Sequence, residues 1–309
     1  MTLQILLATF NGERWLPDQL TSIVDQIWED WHLLVSDDGS SDATQRLLDR
    51  VANGDPRIEL MPPVQNEQLG AAGNFARLLE HRRFPAPTRI FLADQDDFWY
   101  PQKLDRLSGL LNKNVLAFSD ARLIDSNGEC LGTLFETLGV EAEVSLPDVL
   151  AANAAAGCTM AFRAELLDVA LPIPASVVNH DWWLLVCALC VGPVAIYREP
   201  LMDYRQHGAN AVGAAGGFSR LSQLPKLLRR QRSVLLGKPL AIRELVLRLE
   251  AERRPVPDAL IGYLAKFEGT SAGWQALNLI FGHFAPRSWS LRMLQVFALI
   301  LPVQARTRR

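Results

Sequence analysis

The sequence predicts an α/β protein built on a mostly parallel, Rossmann-like sheet. Over residues 1–120, short apolar runs alternate with segments whose apolar residues recur at helical spacing. The apolar runs end in polar or turn-forming residues, which is typical of the strands of such sheets. A length of 309 residues suffices for one large domain with a smaller appendage.

The alternating part of the chain yields five strands and four helices. The predicted strands are Gln4–Thr9, Trp31–Ser36, Ile58–Met61, Arg89–Ala93 and Val115–Ser119. The predicted helices carry Leu16, Leu20, Ile23, Val24 and Ile27, then Leu47, Leu48 and Val51, and then cover Ala71–His81 and Leu104–Leu111. Repeated βα units of this kind place helices on both faces of the sheet.

Beyond residue 120 the predicted elements are shorter. They are a hairpin-like turn at Asp125–Gly128, helices at Leu146–Asn153, Glu165–Ala170 and His180–Val191, and short strands at Val194–Tyr197 and Met202–Arg205. A glycine-rich stretch, Gly208–Gly217, then precedes a region that is helical to the C-terminus. Residues 1–215 are therefore predicted to form the catalytic domain, and residues 216–309 a helical C-terminal region.

The C-terminal region is strongly basic although the net charge of the chain is only −3. Residues 218–309 hold 16 of the 31 Lys and Arg residues but 5 of the 34 Asp and Glu residues. Apolar and basic side chains alternate there on an amphipathic pattern: Leu221, Leu224, Lys226, Leu227, Leu228, Arg229, Arg230, Arg232, Val234 and Leu235, and again within Arg287–Arg309. The pattern predicts docking on an anionic membrane surface. The alternative is a helical cap packed on the catalytic domain or on a second subunit, as in a homodimer.

Other features limit the location and the partners. The longest apolar stretch, Met293–Val303, is too short to span a bilayer. No charged-then-apolar leader precedes the first strand, so we expect a cytoplasmic protein, peripheral at most on the inner face of the cytoplasmic membrane. Cys187 and Cys190 lie in an apolar run and are expected to be helix-core residues. No nucleic-acid-binding module is recognisable.

Three polar segments follow predicted strands directly. They are Thr9–Glu13, Asp37–Ser40 and Asp94–Asp97. Because the carboxyl ends of parallel strands meet at one edge of a sheet, these segments should converge there. Clustered carboxylates need a cation or hydrogen-bond donors, and their oxygens suit Mg²⁺ or Mn²⁺ shared with substrate phosphates. The alternative is a solvated acidic loop. No phosphate-binding loop motif and no dinucleotide fingerprint occurs.

With these segments in view, residues 3–212 resemble the family 2 glycosyltransferases of the GT-A fold, and more closely their bacterial rhamnosyltransferase-like members. The resemblance rests on Ala8–Gly12, Ser36–Ser40, Asn66–Asn74, Asp94–Asp97, Gly157–Phe162, His180–Trp183 and Tyr204–Gly208. It implies the GT-A nucleotide-diphospho-sugar transferase fold and an inverting sugar transfer from a nucleotide-diphosphate sugar, with dTDP-rhamnose as the favoured donor. The acceptor would be a surface-polysaccharide glycan or a lipid-linked sugar.

The same resemblance implies residue roles. The donor nucleotide would be bound by Thr9, Asn11, Glu13, Asp38, Asn74, Arg77 and Asp94. The Mg²⁺ or Mn²⁺ ion would be held by Asp96 and His207, and the catalytic base would be Asp181. The wall between donor and acceptor would be formed by Gly157, Cys158 and Trp182. The neighbouring tryptophans would raise the pKa of Asp181 and favour general-base catalysis. Capping of the helix that follows is its alternative role.

Two rival functions remain open from the sequence. A nucleotidyltransferase also uses carboxylates and Mg²⁺ on an α/β sheet, but it would normally carry a glycine-rich, basic loop near the first strand. A catalytically inactive sugar-nucleotide-binding or scaffold protein is the non-enzyme rival. The presence of Asp96, Asp181 and His207 together argues against it.

Overall fold

The computed structural model describes residues 2–64, 68–81, 84–207 and 220–267, and within the last range it describes the side chains of residues 229–266. The strands are β1 Leu3–Thr9, β2 Trp31–Asp37, β3 Ile58–Leu60, β4 Arg89–Asp94, β5 Phe98–Trp99, β6 Leu116–Ile124, β7 Cys130–Thr133, β8 Met160–Arg163 and β9 Val194–Arg205. The helices are α1 Leu16–Val24, α2 Thr44–Gly54, α3 Gly70–Glu80, α4 Lys103–Leu110, α5 Leu134–Leu138, α6 Leu146–Ala151, α7 Leu167–Ala170, α8 His180–Val191, α9 Arg220–Ala251 and α10 Asp258–Phe267. Gly157–Thr159 and Ala164–Leu166 form short 3₁₀ turns.

All nine strands belong to one sheet, in the order β3-β2-β1-β4-β8-β6-β9-β5, with β7 paired to β6. The first four strands in this order are parallel, as the alternating pattern predicts. The other half is mixed, since β8 runs antiparallel to both β4 and β6, while β6 and β9 are parallel. The register pairs Thr9 with Asp37 and Ala8 with Asp94. This alignment brings the polar segments after β1, β2 and β4 to the same edge.

The sheet is buried on both faces because its central strands are apolar throughout. Leu3, Ile5 and Leu7 of β1 face one hydrophobic core, and Leu6 faces the other. Helix α8 is apolar all round and lies inside the second core, which explains why its cysteine Cys187 is fully buried. The interpretation of Cys187 as a helix-core residue is confirmed.

Several predicted elements differ from the structure. The segments Val194–Tyr197 and Met202–Arg205 are one continuous strand, β9, whose pairing with β6 contains register shifts. The short strands β5 and β8 were not predicted, because two to four residues carry too little periodicity. Ile27 lies beyond the end of α1 and is 67% exposed, so its assignment to this helix is wrong.

The described part of the C-terminal region, residues 220–267, contains the helices α9 and α10, as expected from its pattern. Leu235, Leu245 and Leu249 of α9 are buried, and α10 packs against α9. One face of α9 therefore serves as the cap on the catalytic domain that the sequence left as an alternative. Within the ranges that the structure describes, no helix has the length and apolar character to cross a bilayer. The predictions for Gly208–Gly217 and for residues 287–309 lie outside the described residues, as do the side chains of residues 221–228.

Candidate active site

The loops after β1, β2 and β4 are joined by hydrogen bonds at the carboxyl edge of the sheet. The Thr9 hydroxyl donates to Asp37 Oδ1 at 2.8 Å, and the Asp38 amide donates to the Thr9 carbonyl at 2.9 Å. The side chain of Gln95, within the acidic segment, bonds to both backbone polar groups of Phe10 at 2.8 and 2.9 Å. The predicted convergence of the three polar segments is confirmed.

Two of the predicted nucleotide-binding residues hold loops together. Asn11 has φ +48°, in the left-handed region that few residues other than glycine adopt, and its side-chain oxygen accepts from the Ser41 amide at 2.8 Å. Glu13 accepts from the Ala43 amide at 2.8 Å. Both side chains are exposed, so they form the surface of the β1–α1 loop while fixing it to the β2–α2 loop.

The predicted donor residues Asp38, Asn74 and Arg77 lie together around α3. Asp38 is 3% exposed and accepts the amides of Leu69 and Gly70 at 2.7 and 2.8 Å, so it fixes the start of that helix. Asn74 donates to the Ser36 carbonyl at 2.9 Å, and its own side-chain oxygen is buried with no partner in the described residues. Arg77 donates to the Ser36 hydroxyl at 2.6 Å and borders an open groove of about 530 Å³.

The acidic segment after β4 is partly or fully buried, and its carboxyl groups affect one another. Burial raises the pKa of Asp94 to about 7, with further contributions from the negative charges of Asp96 and Asp181. Burial also raises the pKa of Asp97 well above its usual value, again with the charges of Asp96 and Asp94. Asp94 and Asp97 therefore keep their protons to a higher pH than ordinary aspartates do.

A buried lysine that the sequence analysis missed lies beneath this segment. Lys103, the first residue of α4, is fully buried, with Nζ 2.5 Å from the carbonyl oxygen of Cys158 and 4.0 Å from the ring centroid of Trp99. Burial lowers the pKa of Lys103 to about 8, and Cys158, Asp97 and Asp94 oppose that shift. At neutral pH the amine is therefore mostly protonated, and its positive charge offsets negative charge on Asp94 and Asp97.

On the more open side of the segment, Asp96 meets His207. The imidazole Nε2 lies 2.7 Å from Asp96 Oδ2, and the two side chains are 16% and 12% exposed. Arg205 bonds to the Asp96 carbonyl at 3.1 Å and lies 4.1 Å from the centroid of Trp15. The end of β9 therefore brings the predicted pair, Asp96 and His207, into direct contact.

Asp181 is the second residue of α8, beside Asn179 at the N-cap position. Oδ1 of Asp181 accepts a hydrogen bond from the backbone amide of Trp182 at 2.7 Å, while the side chain of Asn179 makes no capping hydrogen bond. The two tryptophans that follow turn into the core, where their indoles donate to carbonyl groups at 2.8 Å. Trp182 is 3% exposed, so its indole packs in the core instead of facing a substrate as predicted.

The predicted wall at Gly157 and Cys158 packs against α8. A Cβ atom at Gly157 would lie 2.6 Å from His180 Nε2, so only glycine fits without a shift of the imidazole. His180 in turn stacks on Phe75 of α3 with a centroid distance of 4.2 Å. The contact fixes the spacing between the wall, the donor-side helix and Asp181. Cys158 is fully buried, so at this position only the backbone can form the wall.

The side chains around the acidic segment fit a divalent cation only in part. Ligand atoms of Asp94, Asp97 and Cys158 lie within 4.8 Å of one another. Burial raises the pKa of the Cys158 thiol well above its usual value, so it stays protonated and is a poor ligand for a hard ion. Lys103 already neutralises this buried group. Asp96 and His207, in contact on the more open side of the segment, stay the predicted ligands of a Mg²⁺ or Mn²⁺ ion.

The raised pKa of Asp94 predicts a pH-dependent stability of the cation-free protein. A carboxyl group whose pKa is about 7 in the fold and about 3.9 in the unfolded chain holds more protons in the folded state between these values. The free energy of unfolding should therefore fall as the pH rises from about 4 to about 7. We expect the melting temperature in EDTA to be about 2–5 °C lower at pH 7.5 than at pH 5. An Asp94→Asn variant should show a smaller slope, and equal slopes would contradict this assignment.

The order of the strands in the sheet matches the GT-A fold of solved glycosyltransferase structures. The crystal structure of residues 1–349 of Staphylococcus aureus TarS in complex with UDP-GlcNAc covers 96% of this chain and 79% of that chain, with a TM-score of 0.58 and 13% identity. The mannosyltransferase PcManGT from Pyrobaculum calidifontis, in complex with GDP-Man and Mn²⁺, covers 96% of this chain and 85% of that chain, with a TM-score of 0.54 and 19% identity. At these identities the likeness shows the shared fold.

The family follows from sequence comparison. Residues 4–134 match the model of glycosyl transferase family 2. The dTDP-rhamnosyl transferase RfbG of *Shigella flexneri* is 31% identical over 225 residues, which are 69% of this chain and 75% of that protein. The chain belongs to glycosyltransferase family 2, and it is a transferase enzyme.

Proposed function

We propose that the chain is an inverting glycosyltransferase that moves rhamnose from dTDP-rhamnose to a glycan or lipid-linked acceptor of surface-polysaccharide assembly. The observation that carries this proposal is the contact between Asp96 and His207, whose side-chain atoms lie 2.7 Å apart at the edge where the loops after β1, β2 and β4 meet. Gly157, beside this edge, packs directly against His180, the residue before the candidate base on α8.

Asp181 would take the proton from the acceptor hydroxyl, which then attacks the anomeric carbon. Direct displacement inverts the configuration and needs one carboxylate base and no carboxylate nucleophile, by analogy with inverting glycosidases. The backbone at Gly157 and Cys158 would separate donor from acceptor. The partly exposed position of Asp181, with one oxygen on Trp182 N, leaves its second oxygen for a substrate proton.

The donor side would be formed by the residues around α3 and the two loops that it meets. They are Thr9, Asn11, Glu13, Asp38, Asn74, Arg77 and Asp94. The buried, unpartnered oxygen of Asn74 supports this role, because a buried polar atom without a partner is costly unless a ligand or water satisfies it. Asp96 and His207 would hold the Mg²⁺ or Mn²⁺ ion. When bound, that ion supplies Lewis-acid stabilisation of the leaving diphosphate.

The donor is tested by a thermal-shift panel of dTDP-rhamnose, UDP-GlcNAc and GDP-mannose, each with and without Mn²⁺. Similarity to a dTDP-rhamnosyl transferase supports the expectation that dTDP-rhamnose with Mn²⁺ gives the largest rise in melting temperature. A larger rise with another sugar nucleotide would reassign the donor. No rise with any of them would contradict the proposed function as a whole.

The outer face of α9 has the side chains needed to dock on a membrane that carries the acceptor. Leu236, Leu240 and Leu247 are 49–60% exposed at helical spacing, and the exposed Arg243 lies among them. We propose that this apolar and basic face docks on anionic lipid. Its test is co-sedimentation with phosphatidylglycerol vesicles against phosphatidylcholine vesicles. The Leu240→Ser/Leu247→Ser variant should lose binding, whereas Leu131→Ser, an exposed leucine on β7, should not. Equal binding by the three proteins would contradict the proposal.

A further inference from the structure

Helix α9 is held on the catalytic domain by specific polar contacts as well as by its leucines. Lys238 Nζ donates to the Leu150 carbonyl at 2.9 Å, and Arg248 donates to the Val169 carbonyl at 3.0 Å. At Gly237 the helix backbone approaches Ser176 so closely that any side chain would overlap the Ser176 carbonyl oxygen. These contacts fix the position of α9 relative to the loop that leads into α8.

One consequence is the position of Arg230, earlier on the same helix. Its Nη2 donates to the Asn179 side-chain oxygen at 3.0 Å. Asn179 is the N-cap residue of α8, two residues before Asp181. The guanidinium of Arg230 is thus tied by a hydrogen bond to the segment that carries the candidate base.

The electrostatic surroundings of Arg230 extend this contact into the site. Burial lowers the pKa of Arg230, and the charges of Asp181 and Tyr204 oppose that shift. Tyr204 in turn is influenced by Cys158 and by the aspartates of the acidic segment. Arg230 is therefore hydrogen-bonded to the N-cap residue of α8 and is within electrostatic range of Asp181.

A positive group in that region has a definite chemical use. Asp94, Asp96 and Asp181 would repel a substrate phosphate unless cations offset their charge. Lys103 is fully buried and donates to Cys158, so it does not face an incoming substrate. The guanidinium group of arginine presents its N–H donors in a planar fork that matches phosphate oxygens.

We propose that Arg230 is a substrate-binding residue of the active site that engages a phosphate group and is contributed by the C-terminal helix. The proposal rests on the proposed glycosyl transfer and deepens it. The phosphate belongs either to the diphosphate of the donor or to a phosphate-linked acceptor, because both present the same oxygens. Residues 216–309 would then complete the catalytic site, and the two predicted regions would act as one unit.

The test measures binding of dTDP, and of thymidine as the ligand without phosphates, to the full chain by calorimetry in Mn²⁺. Arg230→Gln should weaken dTDP binding by about 10- to 100-fold and leave thymidine binding unchanged, since charge-assisted hydrogen bonds are lost only for the phosphates. Arg229→Gln, which alters the exposed neighbouring residue, is the matched control and should resemble the wild type. Asn179→Ala, which keeps the guanidinium but removes its anchor, should have a smaller effect in the same direction.

The remaining outcomes separate the phosphate sources and the two proposals. Unchanged dTDP binding with slower transfer to a polyprenyl-diphosphate-linked acceptor, but not to a phosphate-free glycan, would place Arg230 on the acceptor. Unchanged dTDP binding and unchanged transfer to both acceptors would overturn the role of Arg230. If Asp96→Asn still weakens dTDP binding in that case, the proposed function survives. A wild type that binds neither dTDP nor UDP would overturn both.

Discussion

Replacement of Asp181 by asparagine is expected to lower the rate of sugar transfer by about 10²–10⁴-fold and to leave donor binding intact. Asparagine keeps the side-chain oxygen that accepts from Trp182 N, so the start of α8 should be preserved. It cannot accept the proton of the acceptor hydroxyl. The measurement is kcat for transfer, together with the dissociation constant of the donor nucleotide and the melting temperature.

The matched control for this variant is Asp168→Asn, an exposed acid in the short helix α7. It removes the same charge from an exposed position on another helix and should retain transfer. Transfer by Asp181→Asn at the wild-type rate would show that another group deprotonates the acceptor. Loss of donor binding along with transfer would instead indicate a structural role at the start of α8.

Replacement of Lys103 by methionine is expected to lower the free energy of unfolding by about 3 kcal/mol at pH 7. Methionine has a similar length, so the packing beside Trp99 should be nearly maintained. The variant loses the hydrogen bond to the Cys158 carbonyl and leaves Asp94 and Asp97 without their buried countercharge. Urea denaturation followed by circular dichroism gives the free energy directly.

Two further variants test whether the loss of stability comes from the buried charge of Lys103. Lys113→Met changes an exposed lysine and should stay within about 0.5 kcal/mol of the wild type. The double variant Lys103→Met/Asp97→Asn should recover part of the loss, because it also removes a carboxylate that the lysine offsets. If Lys103→Met is as stable as the wild type at pH 7, the ammonium group does not stabilise the acidic segment.

The parallel half of the sheet could be predicted from the sequence because its signal is local. Each of β1, β2 and β4 is an apolar run that ends in a polar segment, and both features depend on neighbouring residues only. Parallel pairing then places Thr9, Asp38 and Asp94 at one edge without further information. The hairpin at Asp125–Gly128 was predictable for the same reason, since turn residues determine it.

The antiparallel half of the sheet was harder to predict from the sequence because its short strands are stabilised by the strands beside them. Strand β8 has four residues and is held between β4 and β6, and β5 has two residues held by β9. Such segments adopt extended structure because neighbouring strands satisfy their backbone groups, and their own sequence does not show it. The exposure of Ile27 likewise depends on where α1 ends and what packs beyond it.

The family and the acidic segment could be recognised from the sequence, and the candidate base could be predicted, because these are short motifs whose chemistry belongs to the residues that form them. Which distant side chains lie beside them is visible in the folded structure alone. The fold placed Lys103 beneath the carboxylates, His207 against Asp96, and Arg230 of the C-terminal helix beside Asn179. The physical reason is that local periodicity determines which faces are buried, whereas contacts between remote charges depend on how the buried faces pack together.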